Sequence, residues 1–517
     1  MMREGNPMPI KRLRVVVLKP SKYGTHGFVE RFRRGFMPNS TVPYLCSMTP
    51  PSLEGVTIET HAVDEYVHTD LQYLRLLHGT DEPTLLALVG VQSHQFQRSL
   101  DLAAYALANG VEHCVIGGPH AMTCDTSMLH GRGVSFALAE AEMIWEQILR
   151  DAIHGELAPL YGQDQRWQRQ LDAPVLNPPS REDMKRYVVP MLGIYPARGC
   201  PFTCNFCSVI KIAGHRVRSQ GLETTMASLR AAKAAGVKLV MFTSDNFNKY
   251  AEAPDLLDRM IEERLNLPFF VQCDTQVATQ EAFVDQLGRA GCFQMFIGVE
   301  SFNRKTLLAA HKAQNHPTHY GEIVRLCRKN RILSHFSNII GFPEDTESTI
   351  QEHVSVLRSL NPDVASFYIL VPIPGTQQYD EFLAAGWITE SNLDRFDATC
   401  ATWKHPTLDA EKLHSLLLQS YREFYSNGHI LSSMLDGLKP RKIPAGLIPS
   451  FGLPLFVRYS VWKGVHPMSG GVGPVQTDHV SQYAGLRRRR YGYDLLPLPA
   501  SLELSATDAA FNRMGVG

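Results

Sequence analysis

Cys200, Cys204 and Cys207 stand at C-x3-C-x2-C spacing, directly after an apolar run over residues 191–195 that reads as a strand. Thiolates packed this closely on a turning loop can converge on one metal centre. Three protein ligands on a cube of four irons leave one iron open, and an open iron can bind a small molecule. A zinc knuckle and a chance grouping are the competing readings. Structural zinc wants four protein ligands, usually as two Cys-x2-4-Cys pairs, and the chain has no second pair.

The elements that must position these thiols alternate in type. Apolar strands are expected over 13–18, 56–63, 85–91 and 114–120, with a helix over 99–108. Continuous apolar strands separated by helices imply a parallel sheet, and such sheets bind ligands at the carboxyl ends of their strands. Residues 156–186 read as a linker punctuated by Pro174, Pro178 and Pro179. Alternation then resumes, with strands over 191–195, 238–243, 269–273, 295–299, 334–340 and 366–371 and helical spacing over 224–235 and 253–265. Six such units suggest an open, partial (β/α)6 barrel with functional loops at the C-terminal strand ends. The expected class is α/β: a Rossmann-like sheet over 10–155, a linker over 156–186, a TIM-like partial barrel over 187–395, and a mainly helical extension over 396–517.

The cysteine run, with Phe206 just before its last thiol, resembles the signature of the radical S-adenosylmethionine (radical SAM) superfamily. The resemblance implies that Cys200, Cys204 and Cys207 hold a [4Fe–4S] cluster. Its fourth iron would chelate the amino and carboxylate groups of S-adenosylmethionine, whose reductive cleavage gives a 5′-deoxyadenosyl radical. The cofactor carries that chemistry, while the protein supplies orientation and a dry cavity. Later strand ends match as well. Residues 242–247 resemble the second-strand motif, which puts Asp245 and Asn246 at the methionine end. Residues 298–301 resemble the fourth, with Glu300 and Ser301 near the ribose or amino group. Residues 338–344 resemble the fifth, with Ile340 and Gly341 beside the adenine, and 372–376 resemble the closing turn. Singly, a strand-end carboxylate could merely cap the next helix. The ordered set carries the likeness.

The first sheet resembles the cobalamin-binding-type domain fused ahead of many such proteins. Residues 43–50 look like its first helix, and 115–120, with Gly117 and Gly118, like its "GGPH" turn. Glu140-Ala141-Glu142 looks like its "GEGE" turn, although Ala139 and Ala141 stand where glycines are usual. The Asp-x-His-x-x-Gly motif is absent, so cobalamin is expected to bind without that axial histidine. His94, expected in the loop after the third strand, is a candidate lower-face ligand or an ordinary packing residue. Gly117 and Gly118 have their own simpler reading as a tight turn with positive φ.

At 517 residues the chain suggests two to four domains, and 44% hydrophobic with 20% charged residues is ordinary for a globular protein. Lys+Arg and Asp+Glu both total 51, which leaves no electrostatic case for a nucleic-acid partner. The arginine run 487–490 reads as a solvated or anion-facing patch. Seven of the ten cysteines are scattered, which favours a reducing cytoplasm over a disulfide framework. The early apolar run at 15–18 is too short for a signal-peptide core, and no apolar run reaches bilayer-spanning length. The apolar stretch 443–462, broken by Pro444, Pro449 and Pro454, reads as a lid over a hydrophobic substrate, a membrane-surface segment, or a loop packed on its own core. Residues 470–473 suit a flexible turn, and the last dozen residues are expected to be disordered.

The function this implies is a cobalamin-dependent radical SAM C-methyltransferase acting on an unactivated carbon. A cobalamin-linked oxidative cyclase or other oxidation is the alternative. A non-catalytic cobalamin or redox sensor fits poorly, because it has no need of the strand-end set. A methylthiotransferase normally adds an N-terminal cysteine triad and a C-terminal RNA-binding barrel, neither recognisable here. The expected partners are a small-molecule, lipid or tetrapyrrole-like substrate and an electron donor such as flavodoxin or ferredoxin. Contact with a membrane surface is a further expectation. Tyr195, Tyr368 and His215 are conceivable barrel residues, but no general base can be named.

Overall fold

The structure is a computed structural model that describes residues 10–437, 452–467, 471–499 and 501–514. In chain order its strands are β1 (Arg12–Lys19), β2 (Arg31–Gly35), β3 (Ser52–Leu53), β4 (Val56–Asp64), β5 (Thr84–Leu88), β6 (His113–Gly117), β7 (Ser135–Ala137), β8 (Leu160–Tyr161), β9 (Met191–Ile194), β10 (Ala197–Arg198), β11 (Arg218–Ser219), β12 (Leu239–Phe242), β13 (Phe269–Cys273), β14 (Cys292–Glu300), β15 (Leu333–Ile340), β16 (Val364–Ile369) and β17 (Gly471–Val475).

The first sheet has the order β3-β4-β1-β5-β6-β7-β8, and only the β3/β4 pair is antiparallel. Its strands are apolar on both faces because both are covered. Val16 and Leu18 of β1 pack with Phe96 and Leu100 of the helix Ser93–Ala108. Val15 and Val17 face the opposite way, with Ile144 and Trp145 of the helix Ala141–His154.

The second sheet is all parallel, in the order β16-β15-β14-β13-β12-β9. Strand alternation sends Val240, Phe242, Val271, Ile297 and Phe367 outward into one large core under the helices. The opposite, concave face carries Gln294, His335 and Ser366, joined by hydrogen bonds of 2.9 and 3.1 Å through the imidazole. The α/β class and the six-unit barrel are as expected from the sequence.

An open barrel leaves β16 as an edge whose backbone groups need partners. The hydroxyls of Tyr421 and Tyr425, from the helix Ala410–Phe424 and just beyond it, accept from the N–H groups of Phe367 and Ala365 at 3.0 and 3.1 Å. They also donate to the carbonyls of the same two residues. The remaining C-terminal elements return to the first sheet. Strand β17 pairs antiparallel with β2, and the helix Ser481–Tyr491 lies on Ser93–Ala108. Arg487, one of the arginine run, is buried there against Asp101, while Arg488 pairs with Asp494.

The last dozen residues, described up to 514, depart there from expectation. Residues Ala506–Arg513 form a helix capped by Ser505, and its Phe511 is buried. Phe511 packs on Trp167 and lies 5.4 Å under the Arg218 guanidinium, a tertiary contact that local composition does not announce. Of the apolar stretch 443–462, the part from Leu453 to Trp462 is a helix, and 443–451 lies outside the described residues. Among the described residues, no helix is long and apolar enough to cross a membrane.

Candidate functional site

The cysteine loop begins where β10 pairs with β11. Gly199 sits at φ +107, and an added Cβ would lie 2.1 Å from the Arg216 carbonyl oxygen, so only glycine lets the loop turn there. Its N–H donates to Asp245 Oδ2 at 2.8 Å. Asn246 Nδ2 lies 2.9 Å from Cys200 Sγ, and Gln314 Nε2 lies 3.6 Å from Cys204 Sγ. Burial pushes the Cys200 and Cys207 thiols up to about 12 and also raises Cys204. Thiolates held in so buried a place call for a compensating cation. No set of three His, Cys, Asp or Glu side chains among the described residues is crowded closely enough to grip a single ion. Three neighbouring thiols with side-chain N–H groups aimed at them suit a multi-iron cube, in which each thiolate takes a different iron. The residues present fit the cluster.

The strand-end residues divide by role. Asp245 and Asn246, expected at the methionine end of S-adenosylmethionine, bond to the cysteine loop itself. Glu300 leaves β14 at a register shift with φ +60, and its Oε1 accepts from Lys312 Nζ at 2.6 Å. Burial works to lower the Lys312 pKa, but Glu300 together with Cys204 and Cys207 outweighs it and raises the pKa above the ordinary value. Ser301 faces its own turn, its Oγ accepting from the Asn303 N–H. Gly341 has φ +79, and its N–H is capped by Asp345. The Ile340 side chain points away from the concave face into the outer core, so it can offer only backbone to a ligand.

A cavity of about 540 Å³ opens at the carboxyl ends of β1, β5, β6 and β7. Ala87, Val115, Gly117, Ala137 and Ala139 make a narrow apolar floor, and Thr243, Asp245 and Gln272 close it from the barrel side. Thr243 Oγ1 is buried in this wall without a hydrogen-bond partner. An apolar slot with small residues and an orphan hydroxyl fits a flat ring with apolar faces and hydrogen-bonding amide substituents, as the corrin of cobalamin is. Gly118 explains itself by packing: at φ +131, its Cβ would lie 2.2 Å from the Val91 nitrogen. The 118 turn and the 90–91 loop touch backbone to backbone.

His94 is a correction. It lies in the first turn of the helix Ser93–Ala108, not in a loop, because the Gln95 side chain accepts from the Gln92 N–H and starts the helix earlier than its apolar period suggests. His94 does not line the 540 Å³ cavity. It faces a second chamber of about 450 Å³ with Lys22, Tyr368, Asp397 and His466. Burial, and then Lys22, pull its pKa down to about 3, so the imidazole is neutral. Lys19 and Asn39 line both chambers, which therefore lie side by side. Burial, opposed by Asp64, lowers the Lys19 pKa to about 8.

Two carboxylates that the sequence showed only as part of a turn tie the two halves together. Glu140 and Glu142, from the "GEGE"-like turn, reach across to the cysteine loop. Glu140 takes Arg218 through both oxygens at 2.6 and 2.8 Å, and Glu142 takes Arg198 at 2.8 Å. Arg198 also lies 5.1 and 5.2 Å over the rings of Tyr44 and Tyr195. The signal available was the pair of arginines flanking the cysteines, but their partners are more than fifty residues away.

The family model "Radical SAM superfamily" matches residues 194–357. Over 417 residues, 77% of the chain, it is 26% identical to 87% of the bacteriochlorophyllide d C-8(2)-methyltransferase of Chlorobaculum tepidum. It is likewise 26% identical over 332 residues, 62% of the chain, to 70% of the C-12(1)-methyltransferase of the same organism. Among solved structures it resembles the radical S-adenosylmethionine methyltransferase TsrM from Kitasatospora setae, with cobalamin and a [4Fe–4S] cluster bound. That match has TM-score 0.56 and 17% identity, over 73% of this chain and 75% of that one. The likeness shows that the fold is shared.

Proposed function

We propose that this chain, a member of the radical S-adenosylmethionine superfamily, is a cobalamin-dependent C-methyltransferase acting on an unactivated carbon of a small, tetrapyrrole-like molecule. One observation carries the reading. Asp245 lines the 540 Å³ cavity and, with the same side chain, holds the backbone immediately before Cys200. The two cofactor sites therefore share a wall, as a reaction that removes hydrogen and then delivers methyl at one carbon requires. When bound, the cluster with S-adenosylmethionine supplies a hydrogen-abstracting radical, and cobalamin supplies a transferable methyl group.

The chain's own residues bind, orient and shield. Cys200, Cys204 and Cys207 hold the cluster. Glu300, with Ser301 and the Gly341 turn, offers acceptors to the ammonium and ribose of S-adenosylmethionine. Gly117 and Gly118 shape the corrin side, and the Glu140 and Glu142 clamps fix the distance between the halves. The second chamber, which shares Lys19 and Asn39 with the lining of the first, is the place we assign to substrate. We assign residues 10–155 to the cobalamin unit and 187–395 to the radical core, with flavodoxin or ferredoxin as the class of donor.

The test is anaerobic reconstitution with iron, sulfide, cobalamin, S-adenosylmethionine, reductant and a panel of tetrapyrroles. Mass spectrometry should find 5′-deoxyadenosine, S-adenosylhomocysteine and a product heavier by one methylene. Deoxyadenosine with an oxidised, unmethylated product would overturn the methyl-transfer reading. A loaded cluster that binds no S-adenosylmethionine would overturn the whole.

A further inference from the structure

The helix Leu453–Trp462 is apolar on its solvent face as well as its buried one, unlike an ordinary surface helix. Pro454, Val457, Ser460 and Val461 are buried toward the barrel, where Val457 and Val461 join the core that contains Leu417 and Tyr421. The face turned to solvent is also apolar: Leu455, Tyr459 and Trp462 recur at i, i+4 and i+7 and are 52%, 58% and 74% exposed. Val465 continues the stripe beyond the helix end, and Leu431 is likewise exposed. A lone exposed apolar side chain needs no explanation, whereas a continuous stripe marks a docking surface.

Charge says what docks there. Residues 437–477 contain five Lys and Arg residues and no Asp or Glu, in a chain whose acids and bases balance overall at 51 each. Two of these bases stand on the exposed stripe. Lys463 Nζ lies 4.7 Å from the Trp462 ring centroid, and Arg458, beside Tyr459, bonds to Asn427. Tryptophan and tyrosine with an apolar body and a polar edge, interleaved with long basic side chains, match the boundary between acyl chains and anionic headgroups. Three residues beyond Lys463, His466 is buried in the wall of the second chamber. The docking face and that chamber are therefore joined by one short turn of chain.

We infer that the face formed by Leu455, Arg458, Tyr459, Trp462, Lys463 and Val465 seats this protein on an anionic lipid bilayer. This rests on the surface alone and requires no turnover. The experiment is co-sedimentation of the full-length protein with phosphatidylethanolamine vesicles containing phosphatidylglycerol, against pure phosphatidylcholine, at low and high salt. Binding to the anionic vesicles that weakens with salt is expected. Lys463→Gln should reduce partitioning about five-fold, and Trp462→Ser about ten-fold or more. Both positions are exposed, so unchanged circular dichroism is the folding control. Brominated lipid should quench tryptophan fluorescence in the native protein and lose most of that effect in Trp462→Phe. No binding to anionic vesicles at low salt would overturn the inference, as would full binding by Trp462→Ser. Loss of self-association in Trp462→Ser with vesicle binding intact would assign the face to a second copy of the chain instead.

Discussion

Replacing Glu140 by glutamine removes the charge on which the cysteine-bearing hairpin is fastened to the first sheet. In the native arrangement Glu140 accepts two bonds from Arg218 and one from the Gln168 N–H at 2.9 Å, and it lies 3.5 Å from Arg198. The Glu140 and Arg218 side chains are only 4% and 1% exposed, so water cannot take over either role. Glutamine keeps one acceptor and turns a donor toward the guanidinium. A charge-assisted bond contributes about 1.5–3 kcal/mol, and an uncompensated buried partner costs about 3–5. Arg218 retains the carbonyls of Gln168 and Ala213, and Arg198 retains Glu142. The expected loss therefore falls at the lower end, about 3 kcal/mol, or about a hundred-fold in the opening equilibrium of the hairpin. Hydrogen exchange on peptides spanning 197–219 should accelerate by about that factor, and a chelator should strip iron faster. Glu223→Gln is the control: its pairs with Arg230 and Arg259 are exposed, and its effect should stay below about 1 kcal/mol. Unchanged exchange in Glu140→Gln would refute the clamp. So would Glu140→Gln and Arg218→Met effects that simply add, since a direct pair must couple.

Gly118→Ala should displace the 90–91 loop, because the added Cβ meets backbone at 2.2 Å and φ is +131; cobalamin affinity, read by absorbance titration, should fall at least about ten-fold. Glu300→Gln should weaken S-adenosylmethionine binding by about ten-fold or more in equilibrium dialysis, because it removes an acceptor and leaves Lys312 buried without its carboxylate. The junction with the C-terminal strap should destabilise as pH rises. Burial, and then Asp101, raise Asp394 to about 8, and burial raises Asp101 to about 6. An acid whose folded pKa is raised favours the folded state while protonated. The stability contributed is lost from about pH 4, where the unfolded carboxyl titrates, up through about 8. Unfolding profiles of Asp394→Asn should be flatter over that window, and an equally steep profile would count against the assignment.

The cysteine triad was legible as a candidate cluster site because its chemistry lies within eight consecutive residues, and spacing alone limits what three thiolates can hold. The barrel strands were legible for a related reason: a strand whose outer face is buried under helices carries an apolar residue at every second position, whatever lines its inner face. Short strands escaped notice. Strand β7 is three residues long and owes its existence to pairing with β6 and β8. The final helix escaped too, because its stability comes from Trp167 and Arg218, more than 290 residues earlier.

Placement is what tertiary structure alone decided. His94 reads as a loop histidine until a side-chain cap on Gln92 turns it into a helix residue facing another chamber. Asp245 and Asn246, expected at the methionine end of S-adenosylmethionine, also bond to Gly199 and Cys200, contacts that only folding creates. Glu140 and Glu142 read as a turn until Arg218 and Arg198 arrive. In each case residue type fixes which bonds a side chain can make. Which bond forms depends on which group arrives at about 3 Å from across the fold, and that distance is set by packing rather than by neighbours in the chain.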